Sequence, residues 1–263
     1  MTVNFKRVLA MGDPHCGHQV GLSPPEYHMP TTSDHKFIKL AKVRRSVWNW
    51  FDRELKPFRP INILINNGDA LDGKGERSGG TEQITSDRKV QCDIAKKVIE
   101  FIDPSIIRMT YGTPYHTGSG EDWEDIVAEA VGAKIGSHEW FEINGKIFDC
   151  KHKIAASGIP HGKLTPLAKE ILWNRIWHSR GMQPKADVLL RSHTHSYDQI
   201  DHDGCLGFIL PALQGFGSKY GSRACSGTVD IGFVIIDVYN NGEIRWVKRL
   251  AEIEITKAKA EKL

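Results

Sequence analysis

The chain has 263 residues, 40% of them hydrophobic, so it can bury a substantial core, and its formal charge of +3 neither requires nor excludes a nucleic-acid partner. Its five cysteines, Cys16, Cys92, Cys150, Cys205 and Cys225, are odd in number, widely spaced and never in a Cys-x-x-Cys pair, which argues against a cysteine–zinc site and suggests a reducing, cytoplasmic compartment. The apolar run Val8 to Met11 is too short for a signal-peptide core, and no stretch approaches the ~18–20 apolar residues that span a bilayer, so no membrane association is expected.

In chain order, Val8–Met11 reads as a short strand running into Gly12-Asp13-Pro14-His15. A long Pro-containing loop, Gly17–Asp34, follows, and its histidines His18 and His28, with His35 just beyond, are expected to be solvated or capping residues. Phe37 to Leu55 is predicted to be a helix, with Ile38, Leu40, Ala41, Val47, Trp48 and Phe51 on its apolar face and the basic Lys39, Lys42, Arg44 and Arg45 interleaved. Ile61–Ile65 is a second strand, leading into Gly68-Asp69 and Asp72. The loop Gly73–Ser86 contains several glycines that allow backbone approach to an anion, and its Lys74 and Arg77 are candidates to meet phosphate oxygens. Val90–Ile102 is a second amphipathic helix, and Ile106–Met109 a third strand before Gly112-Thr113-Pro114-Tyr115-His116.

Glu121 to Val131 reads as a short helix with acidic residues in its first turn. Trp140–Ile143 and Lys146–Asp149 flank Asn144-Gly145 as a hairpin whose second arm delivers His152. His161 lies in a Gly158–Gly162 loop and is a candidate substrate contact; Pro166 to Arg180 is a helix, and Val188–Leu190 a strand leading to His193-Thr194-His195. Phe208–Leu210, Ile231–Val238 and Ile244–Val247 are further strands, the last two joined by Asn240-Asn241-Gly242. Trp123, Trp140, Trp173 and Trp177 are expected in the core, whereas Tyr115 beside His116 is placed to stack on a base. Because the Asp and His residues from Asp13 to His195 must converge, one domain over residues 1–255 is expected, followed by a Lys- and Ala-rich tail at 256–263.

The recurrence of these residue types has a chemical reason. Two divalent ions about 3.5–4 Å apart need a carboxylate shared between them, oxygen and imidazole ligands around it, and open positions for water and a phosphoryl oxygen. Asp-x-His and His-x-His each place two side chains on one side of an extended segment, so each pair is expected to reach one site. The order Asp13-x-His15, Gly68-Asp69-x-x-Asp72, His116, His152 and His193-x-His195 resembles the calcineurin-like metallophosphoesterase superfamily, and within it the short members carried by phages and prophages.

The resemblance implies an α/β fold of two mixed β-sheets flanked by helices, with metals at the C-terminal ends of central strands. It assigns Asp13, His15, Asp69 and His195 to one divalent ion and Asp69, His152 and His193 to another, with Asp69 bridging. His116 corresponds to a non-ligand histidine beside the leaving oxygen, and Asp72 to a residue that supports the site. One departure stands out: the family's third motif reads Gly-Asn-His, and here Thr113 or Tyr115 occupies the position of the metal-binding Asn. A second metal site weaker than the first is therefore expected, with Thr113 or a water completing it. Carboxylate and imidazole ligands suit manganese, iron or zinc, and the family favours manganese. The implied activity is hydrolysis of a phosphoester by a metal-bridging hydroxide. The phage-like resemblance and the basic residues point to a phosphodiesterase or nuclease acting on nucleic acid or nucleotides. The alternatives are a phosphomonoesterase or protein phosphatase, and a catalytically silent binding scaffold on the same fold.

Overall fold

Strand β1 (Phe5–Met11) sets the layering, because its side chains alternate between two cores. Val8 and Ala10 enter a buried cluster with Phe148, Cys150, Val188, Leu190 and Phe208, whereas Leu9 and Met11 pack with Val47, Phe51, Ile94 and Val98. The structure is a computed structural model that describes residues 4–118, 120–216, 229–253 and 260–261. Cys225 and most of the 256–263 tail lie outside the described residues.

A six-stranded sheet contains β1, β2 (Ile63–Asn67), β3 (Ile106–Thr110), β4 (Lys134–Gly136), β10 (Ile231–Tyr239) and β11 (Ile244–Ala251), in the order β11-β10-β1-β2-β3-β4. Strands β1 to β4 run parallel, and β10 and β11 are antiparallel additions at one edge. The second, five-stranded sheet has the order β5-β6-β7-β9-β8, from β5 (Glu139–Ile143), β6 (Lys146–Cys150), β7 (Val188–Arg191), β8 (Asp198–His202) and β9 (Cys205–Ile209). Its centre, β6-β7-β9, is parallel, and both edges are antiparallel.

Helices cover the two outer faces. On the first sheet lie α1 (His35–Leu55), α2 (Arg88–Ile102) and α4 (Glu124–Val131); on the second lies α5 (Thr165–Ser179), whose Leu167 and Ile171 pack on Leu189, Cys205 and Ile209. The result is the expected α/β arrangement of two mixed sheets flanked by helices. The long helices start where local chemistry favours it: Asp34 and Asp87 each accept a backbone N–H two residues on, at 2.8 Å, satisfying one of the unpaired first-turn donors of α1 and α2. No helix among the described residues is long and apolar enough to cross a membrane.

Three sequence expectations need correcting. Arg44 is not part of a basic surface: it is fully buried and donates to the carbonyls of Gln19, Tyr27 and Met29. Position 44 lies four residues from Leu40 and from Trp48, on the buried stripe of α1, so only its head group had to find partners. His18 and His28, expected to be solvated or capping, are buried with Val20 and Leu22 in the segment that Arg44 holds, while residues 31–34 at its end are exposed. His28 Nε2 lies 2.8 Å from the Ser23 carbonyl. Trp173 and Trp177, expected in the core, are 51% and 37% exposed, because α5 buries the opposite face through Leu167, Ile171 and Asn174.

Candidate metal centre

Each candidate ligand follows the C-terminal end of a strand. Asp13 and His15 come after β1, Asp69 after β2, and Thr113 and His116 after β3; His152 follows β6, and His193 and His195 follow β7. Parallel strands bring these ends to one rim, where open α/β sheets build sites, and the two sheets contribute opposite halves of the cluster.

The side chains do not converge by strand alternation, as the sequence reading supposed. Asp13, His15, Asp69, His193 and His195 have φ of 51°, 44°, 50°, 78° and 54°. Left-handed backbone costs a non-glycine residue on the order of 1–2 kcal/mol, and five of the eight such residues among those described are candidate ligands. Short left-handed turns at the strand ends, rather than extended pairs, aim the carboxylates and imidazoles inward. Glycine is required beside them for space. A Cβ on Gly112 would lie 2.0 Å from Asp69 Oδ1, and one on Gly68, itself at φ 87°, would lie 2.4 Å from His152 Nδ1.

Two groups result. In the first, His195 Nε2 is 3.3 Å from Asp13 Oδ1 and 3.1 Å from His15 Nε2. In the second, His152 Nε2 is 3.1 Å from Asp69 Oδ2, with His193 completing the triad. Asp69 belongs both to this triad and to a group with His15 and His116. Asp13 also reaches across: its Oδ2 accepts the His193 backbone N–H at 3.0 Å, and its Oδ1 lies 4.0 Å from His152 Nε2.

The donor set fits divalent cations on three observations. Asp13 Oδ1 and His152 Nε2 are buried without a hydrogen-bond partner, a costly state unless a cation satisfies them. His152 is oriented from behind, its Nδ1 donating to the Asn67 carbonyl at 2.8 Å, whereas His15 Nδ1, 3.2 Å from Asp72 Oδ1, is a third buried atom without a hydrogen bond. His152 thus has its Nε2 left for the cluster, the usual arrangement behind a metal-binding imidazole. Finally, the buried carboxylates demand positive charge. Burial would lower His15 and His152, yet Asp13 and Asp72 drive His15 up to about 10, and Asp69 and Asp13 drive His152 up to about 9. In Asp13 burial opposes ionisation, but His195 and His152 outweigh it and hold the carboxyl well below the ordinary range.

His116 stands beside this cluster on α3 (Pro114–Thr117), its ring 4.5 Å from that of His15. Its Nδ1 is anchored on the Asp72 carbonyl at 2.7 Å, and burial followed by His15 pushes its pKa down. Thr113 is drawn onto Asp69, donating from N–H to Oδ1 at 2.6 Å. Asp72 is buried between His15 and the Gln83 amide, which donates to its Oδ2 at 2.5 Å. Tyr115 and Arg77 stack together at the rim, whereas Lys74 and His161 are exposed and, among the described residues, make no hydrogen bond to the cluster.

Sequence reasoning missed Glu124. Fully buried at the start of α4, it accepts the backbone N–H of Ala70 at 2.6 Å and of Gly112 at 2.7 Å, tying the Asp69 turn to the Thr113 turn. Burial and then Asp69 push its carboxyl up to about 7. Its sequence signal was only an acid in a first helical turn, where the expectation fell on Glu121 and Asp122. Gln83 and Gln91 were missed as well. Gln91 pairs with both backbone groups of Gly73 at 2.8 Å, and nothing in its sequence context distinguished it from a solvated helix residue.

No family model and no curated protein matches the chain. Solved structures to which it is similar include an archaeal phosphodiesterase at 15% identity and a TM-score of 0.46, covering 92% of this chain and 99% of that one. A predicted phosphoesterase of Streptococcus pneumoniae is 10% identical with a TM-score of 0.38, covering 94% and 100%. Vps29 of Entamoeba histolytica complexed with Zn2+ is 13% identical with a TM-score of 0.44, covering 93% and 98%. At these values the functional reading rests on the chain's own site, whose Asp and His side chains at the strand ends form a centre suited to divalent cations.

Proposed function

We propose that the protein is a dinuclear metal-dependent phosphoester hydrolase of the calcineurin-like metallophosphoesterase type, with phosphodiesters as its substrates and nucleic acid or nucleotides as their source. The observation that carries this reading is the set of three overlapping carboxylate–imidazole groups, two of which share Asp69, with Asp13, His15, Asp69, His193 and His195 held in left-handed backbone. Asp13, His15, Asp69 and His195 would hold one ion and Asp69, His152 and His193 the other, with Thr113 in place of the family's Asn and manganese favoured over iron or zinc. Two such ions, when bound, supply Lewis-acid stabilisation of phosphoryl oxygens and lower the pKa of water.

The remaining work falls to the chain. Buried Asp and His side chains fixed by backbone contacts need little reorganisation when charge develops on phosphorus. His116, tethered through Nδ1, keeps its other nitrogen to hold or donate a proton at the leaving oxygen. The exposed Lys39, Lys42 and Arg45 of α1 are available to a polyanion, and the buried Arg44 is withdrawn from that role. The free, buried Cys16, Cys92, Cys150 and Cys205 accord with a reducing, cytoplasmic setting for a single domain over residues 1–255.

The test is hydrolysis of bis(p-nitrophenyl) phosphate and of p-nitrophenyl phosphate by metal-stripped protein refilled with manganese, with Asp69→Asn as control. Diester turnover that disappears in the control is expected. Monoester preference would make the protein a phosphatase, and no turnover with manganese, iron or zinc would leave a binding scaffold.

A further inference from the structure

One cation at the rim of the centre has its orientation fixed without being neutralised. Arg77 sits on the 3-10 turn Glu76–Ser78; its backbone N–H donates to Tyr115 Oη at 3.1 Å, and its guanidinium carbon lies 5.0 Å from the Tyr115 ring centroid. Tyr115 immediately precedes His116, is 37% exposed, and meets the imidazole edge-on with ring centroids 4.8 Å apart. Among the described residues, no oxygen accepts a hydrogen bond or an ion pair from the Arg77 guanidinium. The exposed Lys74 is a second cation on the same loop.

The turn that carries Arg77 is built into the site. Gln83, further along the loop, donates to Asp72, and Gln91 grips Gly73 through both its backbone groups. Gly73 packs so closely on α3 that a Cβ there would lie 2.7 Å from the His116 carbonyl oxygen. The guanidinium carbon lies over the Tyr115 ring, and among the described residues the guanidinium N–H groups have no acceptor. A guanidinium is a two-pronged donor matched to phosphate oxygens. A cation used only to latch the loop would gain from a carboxylate partner, and this one has none among the described residues.

We propose that Arg77, placed over the Tyr115 ring beside His116, reads a second phosphate of the substrate, so that the preferred diester lies within a polynucleotide. Tyr115 is then the support of the phosphate reader rather than a platform for a base. This inference rests on the phosphoesterase reading for its substrate and on the Arg77–Tyr115 geometry for its site.

The experiment compares manganese-loaded wild type, Arg77→Ala, Arg77→Lys and Tyr115→Leu on three diesters: bis(p-nitrophenyl) phosphate, single-stranded oligothymidylate and a nucleoside diphosphate sugar. In Arg77→Ala the ratio of kcat/KM for the oligonucleotide to that for the nitrophenyl diester should fall at least about 10-fold, mainly through KM, the effect of one charge-assisted contact. Tyr115→Leu should reproduce part of that fall, and Arg77→Lys should restore some of the ratio without the bidentate geometry. Equal losses on all three substrates, or no change in the ratio, would overturn the proposal. A fall confined to the nucleoside diphosphate sugar would overturn the polynucleotide assignment. Fluorescence anisotropy with a cleavage-resistant phosphorothioate oligothymidylate separates the two readings. Binding that depends on Arg77 in a protein that hydrolyses no diester removes the enzyme and keeps the anion site, whereas diester hydrolysis with oligonucleotide binding indifferent to Arg77 does the reverse.

Discussion

Thr113 engages Asp69 through backbone and side chain together: its N–H donates to Oδ1 at 2.6 Å, while its Oγ1 lies 3.2 Å from Oδ1 and 3.4 Å from Oδ2. The N–H fixes the carboxylate, and the hydroxyl stands beside the oxygens that a second ion would use. A neutral hydroxyl is a poorer ligand than an amide oxygen, so calorimetric titration with manganese should resolve two unequal affinities. Thr113→Val, nearly isosteric, should weaken the looser site by roughly 10–100-fold while sparing the tighter one, the usual cost of disturbing a ligand's support. Two equally tight sites in the wild type would count against Thr113 as the substitute.

His116 is tethered to Asp72 through Nδ1 and groups with His15 and Asp69, apart from the triads completed by His195 and by His193, both of which stay whole when it is removed. His116→Ala should therefore keep the bound metal content measured by elemental analysis and reduce kcat by roughly 10²–10⁴-fold, the range for a positioned proton donor. Asp69→Asn should lose activity and metal together. Full turnover by the His116 variant would remove it from the chemistry.

The convergence of the candidate Asp and His residues was legible because each follows an apolar β-prone run, a signal that survives without any knowledge of tertiary structure. The reason given by alternation was wrong, since left-handed φ at Asp13 and His15 is a property of packing at the strand ends and leaves no periodic trace. Strand β8, written Asp198-Gln-Ile-Asp-His202, went unread because an edge strand with few buried residues carries little hydrophobic pattern. Arg44 shows a signal that was present and passed over: its spacing placed it on the apolar stripe of α1, and charge drew attention away from position.

Glu124 connects two turns that the sequence separates by more than forty residues, and both of its oxygens accept buried backbone N–H groups. Glu124→Ala should strand the Ala70 and Gly112 donors and cost about 2–4 kcal/mol in urea unfolding, at ~1–3 kcal/mol for each unsatisfied group with partial relaxation. The loss should be accompanied by weaker metal binding, because Gly112 and Ala70 flank the contacts of Asp69. A stability change under about 0.5 kcal/mol, the size of an ordinary surface substitution, would show that water replaces the carboxylate.

Behind the centre, Arg191 ends β7 and binds Asp149 of β6 at 2.8 Å and Glu170 of α5 at 2.9 Å, clamping the two strands that lead to His193 and His152. Replacing Arg191 by Met should cost up to about 3–5 kcal/mol, because it removes the cation from the buried Asp149 carboxylate and leaves it, among the described residues, only His138 and Asn174. Asp149 gives this clamp a pH signature. Burial alone would raise its carboxyl, but Arg191 and His138 outweigh burial and hold it at about 2. A carboxyl depressed in the folded state stabilises fully above the unfolded value of about 4, and the contribution, on the order of 2 kcal/mol, is lost as pH falls through the folded value. Asp149→Asn should therefore be less stable than wild type at neutral pH, with the two stability curves converging between about pH 4 and pH 2. Parallel curves across that window would mean that the Asp149 charge does not hold β6 to β7, and that the placement of His152 and His193 depends on packing by Phe148, Val188 and Leu190 instead.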